Sequence, residues 1–339
     1  MIDTESNISD FLSDTQALSL PNLRASVQPE ISEFRSFFKE AVRTDVSLLN
    51  HLLTYLLKTK GKEMRPMLVF LSAKTCGGVS NRTNIAATMV ELLHTATLIH
   101  DDVVDEAEQR RGFLSINKIW KNKAGVLLGD YLLAKGLLVA LDHDEFRLLK
   151  ILSETVRRMS EGELRQLKAS KLQNTTEEKY FEIISGKTAS LISACCECGA
   201  VSATEDEVAR KKMQEIGELI GLAFQIKDDL LDYGSEDIGK PTANDIQEKK
   251  ITLPLIAAFN QAPPKVAKTI RKKFKKEKKS KKEIREITEF VHNYGGIEYA
   301  NNKMLALSTQ AWEILNTFED TEARSMFANL IRFVITRKK

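Results

Sequence analysis

The stretch Asn84-Ile85-Ala86-Ala87-Thr88-Met89-Val90-Glu91-Leu92-Leu93-His94-Thr95-Ala96-Thr97-Leu98-Ile99-His100-Asp101-Asp102-Val103-Val104-Asp105 decides the fold class. Ile85, Met89, Leu92, Leu93, Ala96, Ile99 and Val103 recur at helical spacing, so one face of an α-helix is apolar. Outside it, the prolines are Pro21, Pro29, Pro66, Pro241, Pro254, Pro263 and Pro264, and the span from Met67 to Lys240 holds none. An all-β or αβ chain of that length would place prolines in its turns, whereas helices joined by short connections avoid them. Val156, Met159, Glu163 and Gln166 mark another long helix with a partly polar inner line. Asn117 to Leu141 reads as a helix used for core packing, and Ile31 to Thr59 holds one or two amphipathic helices. The expected fold is an all-α bundle.

With 339 residues, 42% of them hydrophobic, the chain can bury a core as one large helical domain or as two. We expect a polar N-terminal tail over residues 1–29 and one helical domain over 30–339. Uninterrupted apolar runs such as Met67 to Ala73 fall short of the roughly 20 residues of a membrane span, which predicts a soluble protein. Met1 to Ser19 carries acids where a signal peptide needs basic residues, so the expected location is cytoplasmic. Cys195-Cys196-Glu197-Cys198 lacks a second Cys pair or a His-x-x-x-His nearby, and reads as small buried helix residues before it reads as a metal site.

The long helix ends in Asp101-Asp102-Val103-Val104-Asp105, and the pattern returns as Asp228-Asp229-Leu230-Leu231-Asp232. On a helix the first and fifth positions share a face and the second is displaced sideways, so three carboxylates are expected to converge. Such acids repel one another unless a hard cation joins them, and Mg²⁺ binds carboxylates while sharing a substrate's phosphates. Two clusters suggest two walls of one site.

Cations accompany the acids. Gly61-Lys62-Glu63-Met64-Arg65-Pro66 sets two of them three residues apart before a helix whose first turn suits Pro66, although alone it reads equally as a solvated loop. His94 lies two helical turns before Asp101, and a lone His on such a helix is often simply a core residue. Arg110-Arg111 can address two anions or solvent. Gly186-Lys187-Thr188 fails as the end of a phosphate-binding loop, because Phe181 stands where the earlier Gly is required. Lys187 therefore reads as a cation projecting from a helix. Phe224-Gln225-Ile226-Lys227 leads into the second acidic cluster, and Gly239-Lys240-Pro241-Thr242 and Lys249-Lys250-Ile251-Thr252-Leu253-Pro254 follow it.

In this order, Gly61 to Pro66, His94 to Gly112, Lys187-Thr188, Phe224 to Asp232 and Gly239 to Pro254 resemble the motif set of the trans-prenyl (polyprenyl) diphosphate synthases, of the long-chain octaprenyl and solanesyl type. The resemblance covers about residues 30–339. It implies an all-helical bundle around a deep cavity and a Mg²⁺-dependent prenyltransferase, usually a homodimer. Asp101, Asp102 and Asp105 would hold Mg²⁺ from one side and Asp228, with Asp229 and Asp232, from the other. Arg110, Lys187, Thr188, Gln225, Lys240 and Lys250 would contact the allylic diphosphate. Lys62, Arg65, His94 and Arg111 would bind isopentenyl diphosphate. Ionisation of the allylic C–O bond, attack by the isopentenyl double bond and proton loss to the departing diphosphate require no protein nucleophile. Ala243 stands where the family commonly has a second Gly, a strain of about 1 kcal/mol if φ is positive there.

Product length is read from the side chains before Asp101. Thr97 and Ala96, then Leu93, then Met89, are expected to line the upper cavity; short-chain relatives typically carry an aromatic residue at one of the first two places. A product of roughly C30 to C50 follows, the class used for quinone side chains, and Ala96→Phe or Ala96→Tyr should shorten it. The alternatives are a short-chain farnesyl or geranylgeranyl diphosphate synthase, or a noncatalytic subunit of a heteromeric synthase, which would lose its Asp clusters. Lys265 to Lys282 carries a net +10, leaving −7 for the rest, so the basicity is local. That argues against a nucleic-acid partner and leaves a transient contact with anionic membrane surfaces open.

Overall fold

The computed structural model describes Phe11 and residues 19–58, 63–105, 109–110, 113–172, 175–234 and 244–337. The helices in chain order are α1 (Leu20–Ala25), α2 (Gln28–Ala41), α3 (Ser47–Lys58), α4 (Met64–Cys76), α5 (Asn81–Val104), α6 (Ile116–Asp142), α7 (Phe146–Leu172) and α8 (Glu177–Ile184). A π-turn, Ser185–Ala189, joins α8 to α9 (Ser190–Ala203). Then come α10 (Glu207–Asp232), α11 (Asn244–Gln247), α12 (Leu253–Gln261), α13 (Pro264–Phe274), α14 (Lys281–Asn293), α15 (Gly296–Leu315) and α16 (Glu322–Thr336). A two-residue hairpin, β1 (Gln109–Arg110) with β2 (Phe113–Leu114), is the one sheet among the described residues. The all-α expectation holds.

The described prolines explain where helices begin. Pro21, Pro29, Pro66, Pro254 and Pro264 each stand in the first turn of a helix and Pro263 is the N-cap of α13, positions where the missing N–H is not needed. Ser80 and Thr83 form a reciprocal capping box at the start of α5. At the centre lies α4, buried from Pro66 to Ala73. Close approach of its neighbours depends on glycine: a Cβ on Gly199 of α9 would fall 2.3 Å from the Val69 carbonyl oxygen. Helices α5 and α6 run antiparallel, with Gly125 against Ile99 and Val103, Gly129 against His100 and Gly136 against Leu92. A smaller apolar cluster gathers Tyr233, Ile246, Phe259, Phe274 and Phe290 from α11 to α14, beside the main core.

Three sequence expectations change here. The described part of the supposed polar tail is folded: Phe11, Leu23 and Val27 are buried, and Arg24 pairs with Glu63. Its sparse apolar residues sit where α1 and α2 pack, which composition alone conceals. Helix α6 buries Leu128, Leu132, Val139 and Ala140 but exposes Ile119, Val126, Leu127, Leu137, Leu138 and Leu141, so core packing accounts for only one of its faces. Third, Lys118–Asp142 is long and apolar enough to cross a membrane by length and composition, although scattered charges break the uninterrupted run sought in the sequence. The cysteines behave as read: Cys195, Cys196 and Cys198 are buried in α9, and burial pushes the Cys196 thiol up to about 12.

Candidate active site

A cavity of about 950 Å³ opens between α4, α5, α7, the π-turn, α9, α10 and α16. Helix α5 contributes Glu91, His94, Thr97, Leu98, Asp101 and Val104, which recur at helical spacing along one stripe. Its far walls are apolar: Leu133, Val156, Met159, Leu164 and Leu167 on α6 and α7, with Leu330, Phe333 and Val334 on α16.

Chain-length residues need correction. Thr97 lines the cavity, but Ala96, Leu93 and Met89 are buried and do not reach it. Ala96 is in register with Leu92, Ile99 and Val103, the stripe that packs on α6, because residues three or four apart share a helix face.

A smaller polar pocket of about 170 Å³ shares Lys187 and Thr188 with the cavity and adds Tyr180, Gln225, Asp229, Asp245 and Lys250. Of the residues assigned to one diphosphate, Lys187, Thr188, Gln225 and Lys250 thus line one pocket, and Thr188 and Gln225 are joined by a hydrogen bond. Thr188 Oγ1 donates to Gln225 Oε1 at 2.8 Å. Gln225 Nε2 donates to Asp229 Oδ1 at 2.9 Å, and the Tyr180 hydroxyl donates to Asp229 Oδ2 at 2.6 Å. Lys187 Nζ lies 2.6 Å from Glu163 of α7, and Lys250 Nζ lies 2.5 Å from Glu248. Burial lowers the Lys250 pKa, but Glu248, Asp245 and Asp105 more than offset it, so the ammonium is raised overall. Asp105 and Asp245 acting on one lysine bring the two acidic regions to the same mouth.

The acids do not form the self-sufficient trios expected. Among the described residues no three His, Cys, Asp or Glu side chains stand close enough to hold an ion alone. Asp229 in particular is buried with both oxygens engaged inside the protein, so it anchors Gln225 and is not placed as an open metal ligand. Burial above all, then the Asp245 and Asp228 charges, push its carboxyl up to about 8 despite the hydrogen bonds. Asp228 is half-exposed and its Oδ1 meets Arg337 at 2.6 Å. Asp232 accepts the backbone N–H groups of Asn244 and Asp245, both at 3.0 Å. Asp101 faces the cavity, Asp102 is buried and Asp105 is exposed at the end of α5. The donor set still suits Mg²⁺, which takes one or two carboxylates, waters and substrate phosphates in place of an all-protein cage. Asp101, Asp105 and Asp228 are the carboxylates available to it.

On the isopentenyl side, Arg65 and His94 both line the cavity. Glu63, in left-handed backbone conformation before α4, is clamped by Arg24 and Arg35 and shapes the approach to Arg65. Lys62, Arg111 and Lys240 lie outside the described residues, as does Ala243, and the Arg110 side chain is likewise not described. Sequence reasoning missed Glu163, Tyr180, Asp245 and Arg337. Asp245 closes the Gly239 to Asp245 motif and could have been taken from it. Arg337 gives no local signal, since it arrives from α16 to stack on Phe224 at 4.1 Å.

A family model described as polyprenyl synthetase matches residues 46–291. Octaprenyl diphosphate synthase of Escherichia coli (strain K12) is 31% identical over 324 residues, covering 95% of this chain and 100% of that one. The structure of a decaprenyl diphosphate synthase from Rhodobacter capsulatus superposes with a TM-score of 0.89 at 32% identity, covering 95% of this chain and 100% of the other. A polyprenyl synthase from Caulobacter crescentus CB15, solved with calcium and isoprenyl diphosphate, gives a TM-score of 0.86 at 30% identity over 95% and 98% of the two chains.

Proposed function

The chain belongs to the polyprenyl synthetase family and is a prenyltransferase, and from that premise we propose that it condenses isopentenyl diphosphate with an allylic diphosphate to build a long all-trans chain. The observation that carries the reading is the polar pocket of Lys187, Thr188, Gln225 and Lys250 opening beside Asp101 into a large apolar cavity. The pocket holds a diphosphate; the cavity holds a hydrocarbon. Mg²⁺ is the divalent cation we assign, and when bound it would stabilise negative charge developing on the leaving diphosphate.

The chain's own residues do the rest. Lys187 and Lys250, with Lys240, bind the allylic diphosphate and share its growing charge as the C–O bond breaks. Arg65 and His94, with Lys62 and Arg111, hold isopentenyl diphosphate so that its double bond lies near the allylic carbon, replacing a bimolecular encounter by a positioned one. Val156, Met159 and Phe224 keep water from the allylic cation. The departing diphosphate takes the proton.

The product we assign is roughly C30 to C50, because about 950 Å³ is near the top of the ~300–1,000 Å³ range of ligand cavities. The two long-chain relatives above support it. Such chains serve as quinone side chains. Incubation with Mg²⁺, farnesyl diphosphate and labelled isopentenyl diphosphate should yield that length class, and failure to extend any allylic primer would overturn the assignment. Thr97→Phe should shift the products towards roughly C15 to C20, since a ring there narrows the path by overpacking; an unchanged distribution would remove α5 from length control.

We also propose a cytoplasmic homodimer. The exposed leucines of α6, with Phe146 of α7, are apolar surface that pairing would cover. Free buried thiols fit a reducing compartment. Sedimentation showing a monomer at micromolar concentration would contradict the dimer. Lys268, Lys272 and Lys275 on or just after α13 are exposed and suit passing contact with an anionic bilayer, while no aromatic side chain is exposed there to stack on bases.

A further inference from the structure

The π-turn interrupts the α-helical register beside the site, and it carries Lys187 and Thr188. Its widened register is set by the Ser190 N–H, which donates to the Ser185 carbonyl. Ser190 Oγ adds a bond to the Gly186 carbonyl at 2.5 Å. Turns of this kind are rare, occur singly and gather at functional sites. Relaxation to ordinary α-helical register would remove one residue from the turn, a rotation of about 100°, and take Lys187 and Thr188 away from the wall they occupy.

Side chains outside the turn oppose that relaxation. A terminal nitrogen of Arg158 on α7 lies 2.9 Å from Ser185 Oγ and 3.0 and 3.1 Å from the two carboxylate oxygens of Glu218 on α10. Ser185 Oγ in turn donates to Glu218. None of these three side chains lines the large cavity or the diphosphate pocket. They grip the turn from behind. Between them and the site, Gly162 of α7 comes so near that a Cβ there would fall 2.6 Å from the Lys187 backbone nitrogen. The residue after Gly162 is Glu163, which holds the Lys187 ammonium. Helix α7 therefore fixes the turn through Arg158 and the working end of Lys187 through Glu163.

We propose that Arg158, Ser185 and Glu218 are positioning residues that lock the π-turn in register and so set Lys187 and Thr188 towards the allylic diphosphate. The proposal rests on the assignment of Lys187 to that diphosphate. Arg158 and Glu218 are each about a quarter to a third exposed, at 31% and 25%, so their pairing adds little to global stability. Its value is geometric: one Arg158 nitrogen reaches Ser185 and both Glu218 oxygens at once, tying the turn to α7 and α10.

The test uses the full chain with each substrate varied in turn. Glu218→Ala should lower kcat/KM for the allylic substrate by roughly ten- to a hundred-fold, the cost of a displacement of about 1 Å, while the KM for isopentenyl diphosphate changes by less than about twofold. Arg158→Ala should behave like Glu218→Ala, and Ser185→Ala supplies the same readout if either of the other variants fails to fold. The double variant Glu218→Ala with Lys187→Ala decides the route, because residues acting through one another do not add. Its loss should be clearly smaller than the product of the two single losses. Losses that multiply, or equal rises in both KM values, overturn the lock while leaving Lys187 at the diphosphate. A Lys187→Ala enzyme with unchanged allylic kinetics overturns the assignment of Lys187, and the lock with it.

Discussion

Asp101 to Asp105 and Asp228 to Asp232 share one spacing and differ in what surrounds them. The first cluster closes a helix whose stripe lines the cavity, and its Asp105 stands in solvent. In the second, Arg337 holds Asp228, Tyr180 and Gln225 hold Asp229, and two backbone N–H groups hold Asp232. The same spacing therefore lines the cavity through Asp101 in one place and forms the hub of a hydrogen-bonded network in the other. The network also reaches α11, since Asp232 accepts the N–H groups of Asn244 and Asp245 and the Asp245 carboxyl is pushed up to about 6 by burial and by Asp232. Loss of Asp228 should cost function and order together, whereas Asp105, exposed at the end of α5, can be lost with little effect on order.

Removing each acid is the strongest way to break that contrast. Asp101→Ala should lower turnover by about 10³-fold or more with a smaller loss of melting temperature than Asp228→Ala, as expected for lost transition-state stabilisation. Asp228→Ala should cost similar turnover but also destabilise the protein, because Arg337 keeps only 10% of its side-chain surface exposed and would lose its counter-charge. Turnover by pre-steady-state assay and melting by calorimetry check both. Equal melting temperatures in the two variants would erase the difference.

A smaller effect comes from Asp229. Its pKa of about 8 exceeds that of an unfolded aspartate, so between the two values the unfolded chain gives up its proton first. Metal-free protein should accordingly lose stability as pH rises from about 4 to 8. Asp229→Asn should flatten that slope, and melting in chelator at pH 5 and pH 8 measures it. Tyr180→Phe, which removes one hydrogen bond to the same carboxylate, should cost about 1 kcal/mol. The smallest effect is expected at Arg337: Arg337→Gln frees Asp228 of a competing cation and should move half-saturation to a roughly two- to fivefold lower Mg²⁺ concentration. A shift to higher concentration would mean that Arg337 binds substrate and does not guard the acid.

Much of this was legible because helices announce themselves in spacing and proline. The helix through Ile99 forms as read, and Asp101, Lys187, Thr188, Gln225 and Lys250 line the cavity or the pocket beside it, while Asp102 and Asp229 are buried. What was not legible depends on which stripe of a helix meets which neighbour. Ala96 and Thr97 are adjacent, yet one is buried in register with the stripe on α6 and the other faces the cavity, and no periodicity says which. The leucines of α6 look alike whether they fill a core or cover a face. Phe11, Leu23 and Arg24 are too few to mark a packed segment, and their partners lie far away in sequence. Arg337 likewise has no meaning until α16 has been placed beside α10.

Those distant partners have a consequence for how the protein is made. Phe11 packs against Trp312 and its carbonyl accepts from the Arg332 guanidinium, a contact spanning 321 residues, while Arg24 clamps Glu63 at the cavity wall. A ribosome adding about 5–20 residues per second would expose Phe11 for many seconds before α15 and α16 emerge to cover it. Helices α2 to α10 can pair as they appear, but Phe11 cannot be fixed until α15 and α16 are present. Closure is thus a late event in biogenesis, and a chain stalled before Trp312 would carry both acidic clusters yet leave Phe11 without its cover.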